Sequence, residues 1–249
     1  AQPATLDLRT RKAAWSLIAA SERQLGNTAA AEDAGRKASQ LPEDQTVDDP
    51  FQREVTSIRL DHRVLSLPAH AMLAEGKLAE VEPLVLRLLA EHPAEPESWL
   101  VAGRYQILMG RLKEAEQSLR RHVELDPGSV QGHFQLGTSL LKQDSFVEAA
   151  KVFERCVELK SDFGPAYFNQ AFCLARSGNR KGAIPLFQQV VRLSPERVET
   201  YLLLGDLYLQ EGQPQETARL LDQAEALRPD DPRLKVLRTK LEREQARQR

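Results

Sequence analysis

The chain has 249 residues, 41% of them hydrophobic and 28% charged, and no uninterrupted apolar run approaches the roughly 18 residues of a membrane-spanning helix. Its 34 Lys and Arg against 36 Asp and Glu give a formal charge of -2, which removes a bulk electrostatic case for nucleic acid and leaves charge-driven binding to local patches. Cys156 and Cys173 lie in no CxxC or Cys/His cluster of metal-ligand spacing, so they read as two reduced core residues or as one bridge, and the compartment, cytoplasmic or exported, stays open.

The chain opens at Ala1 with neither an initiator Met nor an apolar leader, which fits a processed mature protein or a piece of a longer one. Residues 12–45 carry Trp15, Ala19, Gly26, Ala31 and Ala38 at the offsets of a divergent repeat, with Pro42 one residue early, so 1–45 reads as an N-terminal segment holding one such unit. Between Gly26 and Gly76 an insertion follows. There Asp49 and Pro50 form a cap and first-turn pair, and Phe51, Val55 and Ile58 recur at helical steps, which predicts a helical segment at 46–61.

From residue 62 a period of 34 takes over. Trp99, His133, Tyr167 and Tyr201 are equally spaced, as are Gly103, Gly137, Ala171 and Gly205; Pro93, Pro127, Pro195 and Pro229 keep the same register, with Ser161 in the one gap. Gly76, Gly110, Gly178 and Gly212 mark a turn at repeat position 15, where Asp144 replaces one glycine. The repeats therefore run 62–95, 96–129, 130–163, 164–197 and 198–231. Apolar residues on both sides of each turn recur at three- and four-residue steps, as in Leu112, Ala115, Leu119 and Val123, so each repeat is an antiparallel helix hairpin. Pro83 and Pro185 fall early in second helices and predict bends rather than breaks, whereas Pro68 predicts a kink. Residues 232–249 carry Leu234, Leu237 and Leu241 among charged residues and read as a C-terminal capping helix.

This pattern resembles the tetratricopeptide repeat family, most closely at Tyr201, Leu204, Gly205, Tyr208, Ala224 and Pro229, although Thr217 stands where alanine is usual. The resemblance implies an all-α, right-handed superhelical α-solenoid of hairpins over 62–231. It also implies that first helices line a concave groove, mainly through repeat positions 2, 5, 9, 12 and 13. Carried onto this chain, those positions are Arg63, Ser66 and His70; Glu97, Leu100, Arg104 and Ile107; Gln131, Phe134, Thr138 and Lys142; Phe168, Phe172 and Arg176; and Glu199, Leu202 and Asp206.

No catalytic constellation is present in the sequence. His62, His70, His92, His122 and His133 form no HExxH or i, i+4 pair, and no phosphate-binding GxxxxGK[ST] or strand-led GxGxxG occurs. No metal or cofactor is indicated, and the chain reads as a non-enzyme. RNA-binding helical repeats are disfavoured by the charge balance and by the lack of a regular base-reading pair in each repeat. Two specialised functions of the family also fail to transfer: the lysine and asparagine set that clamps chaperone C-terminal tails is not in register here, and Asn169 is isolated where an asparagine ladder would be needed.

The reading that remains is a non-catalytic interaction module or scaffold. Its peptide-binding candidates are Arg104, Phe134, Thr138, Lys142, Phe168, Phe172 and Arg176, facing a protein or peptide with apolar anchors and acidic groups. The three phenylalanines either present apolar surface to that partner or pack between adjacent first helices. Two alternatives stand beside it: a targeting or regulatory region of a larger enzyme or assembly machine, and a self-assembly scaffold that forms homo-oligomers.

Overall fold

The computed structural model describes residues 15–16, 18–20, 28–40 and 62–247. Residues 1–59 and 60–249 form two compact units. In the first, 15–16 and 18–20 are helical and α1 (Thr28–Gln40) buries Ala31, Ala34 and Ala38, with the Lys37 ammonium 4.6 Å over the Trp15 ring. Gly26, Pro42 and the helix expected over 46–61, with Asp49, Pro50, Phe51, Val55 and Ile58, lie outside the described residues.

The second unit is all helix among its described residues. Its hairpins are α2 (Arg63–Ala74) with α3 (Leu78–Glu91), α4 (Pro96–Leu108) with α5 (Leu112–Leu125), α6 (Val130–Lys142) with α7 (Phe146–Leu159), α8 (Gly164–Arg176) with α9 (Arg180–Leu193), and α10 (Val198–Gln210) with α11 (Pro214–Leu227). A last helix, α12 (Pro232–Arg247), buries Leu234, Leu237 and Leu241 and turns charged residues outward, so it caps the final hairpin. Pro68, Pro83 and Pro185 sit inside α2, α3 and α9 without ending them.

Each hairpin turn is built by its own backbone. Gly76, Gly110, Gly178 and Gly212 have φ of 74°, 74°, 90° and 73°, the left-handed region that a Cβ disfavours. The residue after each then donates back across the turn, as Lys77 N does to Met72 O at 2.9 Å and Arg111 N to Gln106 O at 2.8 Å, closing the last carbonyls of the first helix. Asp144 makes the same turn at φ 57° and Ser145 N the same bond to Leu140 O at 3.0 Å. A side chain is thus held where four other repeats use glycine. Asp144→Gly is expected to raise stability by about 0.5–1 kcal/mol, read as a higher urea midpoint; an unchanged or lower midpoint would show that the aspartate carries no backbone strain.

The phase lock between the large residue and the proline has a direct cause. Trp99 Nε1 donates to Pro93 O at 2.8 Å and Tyr201 OH to Pro195 O at 2.8 Å, and His133 Nε2 lies 3.1 Å from Pro127 O. Each bond ties the loop between repeats to the first turn of the next helix. The small residues in register serve packing: a Cβ on Gly137 would lie 2.7–2.9 Å from three atoms of the fully buried Phe153 ring. Thr217, the departure from alanine, is buried and donates to Gly205 O at 2.9 Å, using the close approach that a glycine backbone allows.

Candidate functional site

First helices place their position 9 residues side by side, one period apart. Arg104 Nη1 donates to His70 Nδ1, and Asp206 pairs with the Lys240 ammonium. His70 Nε2 in turn donates to the Glu97 carboxylate. This hydrogen bond holds the Glu97 carboxyl below its ordinary range against the opposing effect of burial, while burial draws the Arg104 guanidinium down. Arg104 is therefore committed to a neighbour within the array, where the sequence suggests a cation offered to a partner.

The middle of this wall is different. Thr138 is half-buried and its hydroxyl bonds its own helix, donating to Phe134 O at 2.8 Å. Lys142 is exposed and Arg176 lies with its guanidinium 4.6 Å from the Phe146 ring centroid and 5.7 Å from that of Phe172. Neither cation has a carboxylate partner among the described residues, whereas the inner-face carboxylates Glu97, Glu199 and Asp206 are matched by His70, Arg197 and Lys240.

The phenylalanines separate. Phe172 is half-buried, but Phe168 is only 7% exposed, its ring edge-on to Phe187 with centroids 5.6 Å apart and covered by Arg197 at 3.6 Å. Phe168 is a core residue, and Ser66 and Leu100, at the same repeat position, are buried too. Phe134 is half-buried against Phe153 and Phe163, with centroids at 5.7 and 5.2 Å. Position 5 faces adjacent helices more than it faces solvent.

Two cavities open along this wall, the first with Arg176 in its lining and the second with the paired Lys240. One of about 300 Å3 lies between α8 and α10, lined by Phe172, Arg176, Leu203, Leu207, Asp206 and Gln210. A second of about 380 Å3, between α10 and α12, is lined by Leu202, Leu203, Asp206, Val236, Leu237 and Lys240. They share Leu203 and Asp206. Sequence reasoning missed Val236 and Lys240 by treating α12 as a cap alone, yet the signal was available: Lys240 follows Asp206 by one full period, so α12 continues the first-helix register.

One contact has the spacing of a nucleophile and its base: Ser129 Oγ lies 2.9 Å from His122 Nε2. Its surroundings make it structural. Ser129 Oγ caps α6 by accepting Gly132 N at 3.0 Å, His122 Nδ1 donates to Pro96 O at 2.7 Å, and the imidazole is 2% exposed. Cys156 and Cys173 are both free and buried, and burial pushes both thiols up to about 12, so they stay protonated. Among the described residues no group of three His, Cys, Asp or Glu is placed to hold a metal ion, and no helix is long and apolar enough to cross a membrane.

Comparison with known proteins places this geometry. Tetratricopeptide repeat profiles match residues 69–130 and 174–241. Over 91 residues, 36% of the chain, it is 36% identical to protein O-mannosyl-transferase Tmtc3 of Drosophila melanogaster, and over 169 residues, 68% of the chain, 27% identical to anaphase-promoting complex subunit 7 of Mus musculus. The chain spans only 10% and 30% of those two relatives. The crystal structure of YrrB, described as a TPR protein with an unusual peptide-binding site, superposes with a TM-score of 0.66 at 19% identity, covering 78% of this chain and all of that one. MamA from Desulfovibrio magneticus RS-1 does so with a TM-score of 0.63 at 18% identity, covering 69% and 97%. With its five phased hairpins, its left-handed turn residue in every repeat and two matching profiles, the chain belongs to the tetratricopeptide repeat family.

Proposed function

We propose that this repeat array, a protein-interaction scaffold by family, holds an acidic segment with an apolar anchor against the inner wall of repeats 130–163 and 164–197. The observation that carries the reading is the pair Lys142 and Arg176, one period apart and without carboxylate partners among the described residues, of which Arg176 lines the cavity together with Phe172, Leu203 and Leu207. An apolar side chain entering that cavity contributes about 1.5–3 kcal/mol, and the two cations set register and on-rate. Phe134 and Thr138 shape the wall, Arg104 lies beyond its edge and Phe168 supports it from within.

Fluorescence anisotropy with two labelled probes, a peptide of alternating Glu and Leu and one of alternating Lys and Leu, tests the reading. The acidic probe is expected to bind more tightly. Lys142→Glu combined with Arg176→Glu is expected to weaken it about tenfold, while Lys151→Glu with Lys181→Glu, an equal charge change on second helices, leaves it within about twofold. Equal losses in the two double variants, or no preference for the acidic probe, would refute the site.

A second reading rests on length. Because the matched relatives are far longer than the span they share with this chain, the array also fits a targeting or regulatory region of a larger protein. Immunoblotting of source cells for the size of the native product decides between a free scaffold and an attached one.

A further inference from the structure

We propose that His70 is a proton-operated latch on the inner wall, which holds Arg104 inside the array when singly protonated and releases it to anionic ligands when doubly protonated. The latch adds regulation to the proposed binding wall but does not depend on its being correct, because it is defined by contacts within the free protein.

A guanidinium has only N–H groups to offer, so His70 Nδ1, which receives Arg104 Nη1, must carry a lone pair. A carboxylate can only accept, so His70 Nε2, facing Glu97, must carry the proton. The two contacts coexist in one state alone, the neutral imidazole protonated at Nε2. In that state a histidine on α2 bridges a cation and an anion on α4, and the side chain of Arg104 is half-buried against it.

A second proton reverses half of this arrangement. Nδ1 becomes a donor facing a donor, and an imidazolium stands against a guanidinium, so the Arg104 contact changes from attraction to repulsion. The Glu97 contact becomes an ion pair and is retained. Arg104, at position 9 of its helix and on the same face as Thr138 and Phe172, then swings off His70 with its full set of donors. The inner wall gains one charge on His70 and exposes a second on Arg104.

Among the described residues, two charged groups are in hydrogen-bond contact with His70. Glu97 and Arg104 face His70 from α4; no hydrogen bond or ion pair from α3, the other helix packed on α2, reaches it among the described residues. His62 and His122 act on Glu97 more weakly than His70 does. Histidine is the side chain that ordinarily changes charge between pH 5 and 8, and His70→Gln retains an acceptor for Arg104 and a donor for Glu97 while removing the titration.

The test is an NMR titration of the free 249-residue chain from pH 8 to pH 5, following the imidazole nitrogens of His70 and the guanidinium protons of Arg104. The latch requires the Nε2-protonated tautomer at high pH, and Arg104 signals that move with the same midpoint as His70. In His70→Gln the Arg104 signals are expected to stay still, and in His62→Gln to move as in wild type. An Nδ1-protonated tautomer, or an Arg104 indifferent to His70, would overturn the proposal. As a second readout, affinity for the Glu/Leu probe is expected to rise about two- to fivefold more on acidification in wild type than in either His70→Gln or Arg104→Gln. A probe that fails to bind at any pH refutes the binding wall, and the titration of the free chain still decides the latch.

Discussion

Phe153→Ala is expected to cost about 3–5 kcal/mol and to split the unfolding of the array into two transitions. Phe153 is fully buried, its ring lies on the backbone of Gly137, and it meets Phe134 edge-on at 62°. Removing the ring leaves a void that Gly137 has no side chain to fill. The loss falls on one hairpin, yet in a solenoid each hairpin is also the interface for its two neighbours, so the lesion at 130–163 uncouples the repeats on either side. Urea unfolding followed by circular dichroism measures the cost, and hydrogen exchange locates it. The expected pattern is lost protection in α6 and α7 with protection kept in α4 and α5. A cost below about 1 kcal/mol, or a uniform loss along the chain, would refute this account of the core. Because Phe134 and Lys142 ride on α6, acidic-probe binding is expected to fall as well.

Gly132→Ala is expected to cost about 1–3 kcal/mol, and His122→Cys in the same chain to recover most of it. A Cβ at residue 132 would fall within the imidazole of His122, whose two nitrogens are already used by Pro96 O and Ser129 Oγ. The ring cannot move aside without giving up a bond that joins α5 to the start of α4 or one that joins it to the cap of α6. The next interface shows the alternative solution at equivalent positions: Cys156 takes the place of His122 and reaches Val130 O at 3.7 Å, and Ala166 takes the place of Gly132, both buried in the same cluster. The double variant imports that arrangement one period upstream. Thermal and urea unfolding of the two single variants and the double variant form the cycle. Strict additivity would show that the two positions do not share the space the structure assigns them.

This compensation between a large and a small residue was legible in the sequence, because residues 122 and 132 repeat as 156 and 166 within the same 34-residue frame. It escapes a reading that follows one repeat position at a time, since the pair spans two repeats. The Schellman-type turns, by contrast, follow from a single position, and even the exception at Asp144 keeps the left-handed turn.

What the sequence by itself determined is therefore the local architecture: the period, the hairpins, their turns and the helical cap. These depend on backbone geometry and on helical faces within a few residues of each other, and such short-range rules leave their mark on every repeat. Only the tertiary structure decided which inner-face residues are available. Phe168 and Phe172 lie four residues apart on one helix, yet Phe187 and Arg197 bury the first while the second lines a cavity. Arg104 and Arg176 both look like groove cations in the sequence, but His70 from the preceding repeat holds one and leaves the other on aromatic rings. The physical reason is that one face of each first helix both packs on its neighbours and lines the groove, so exposure is set by the size and hydrogen-bonding capacity of side chains contributed by other repeats.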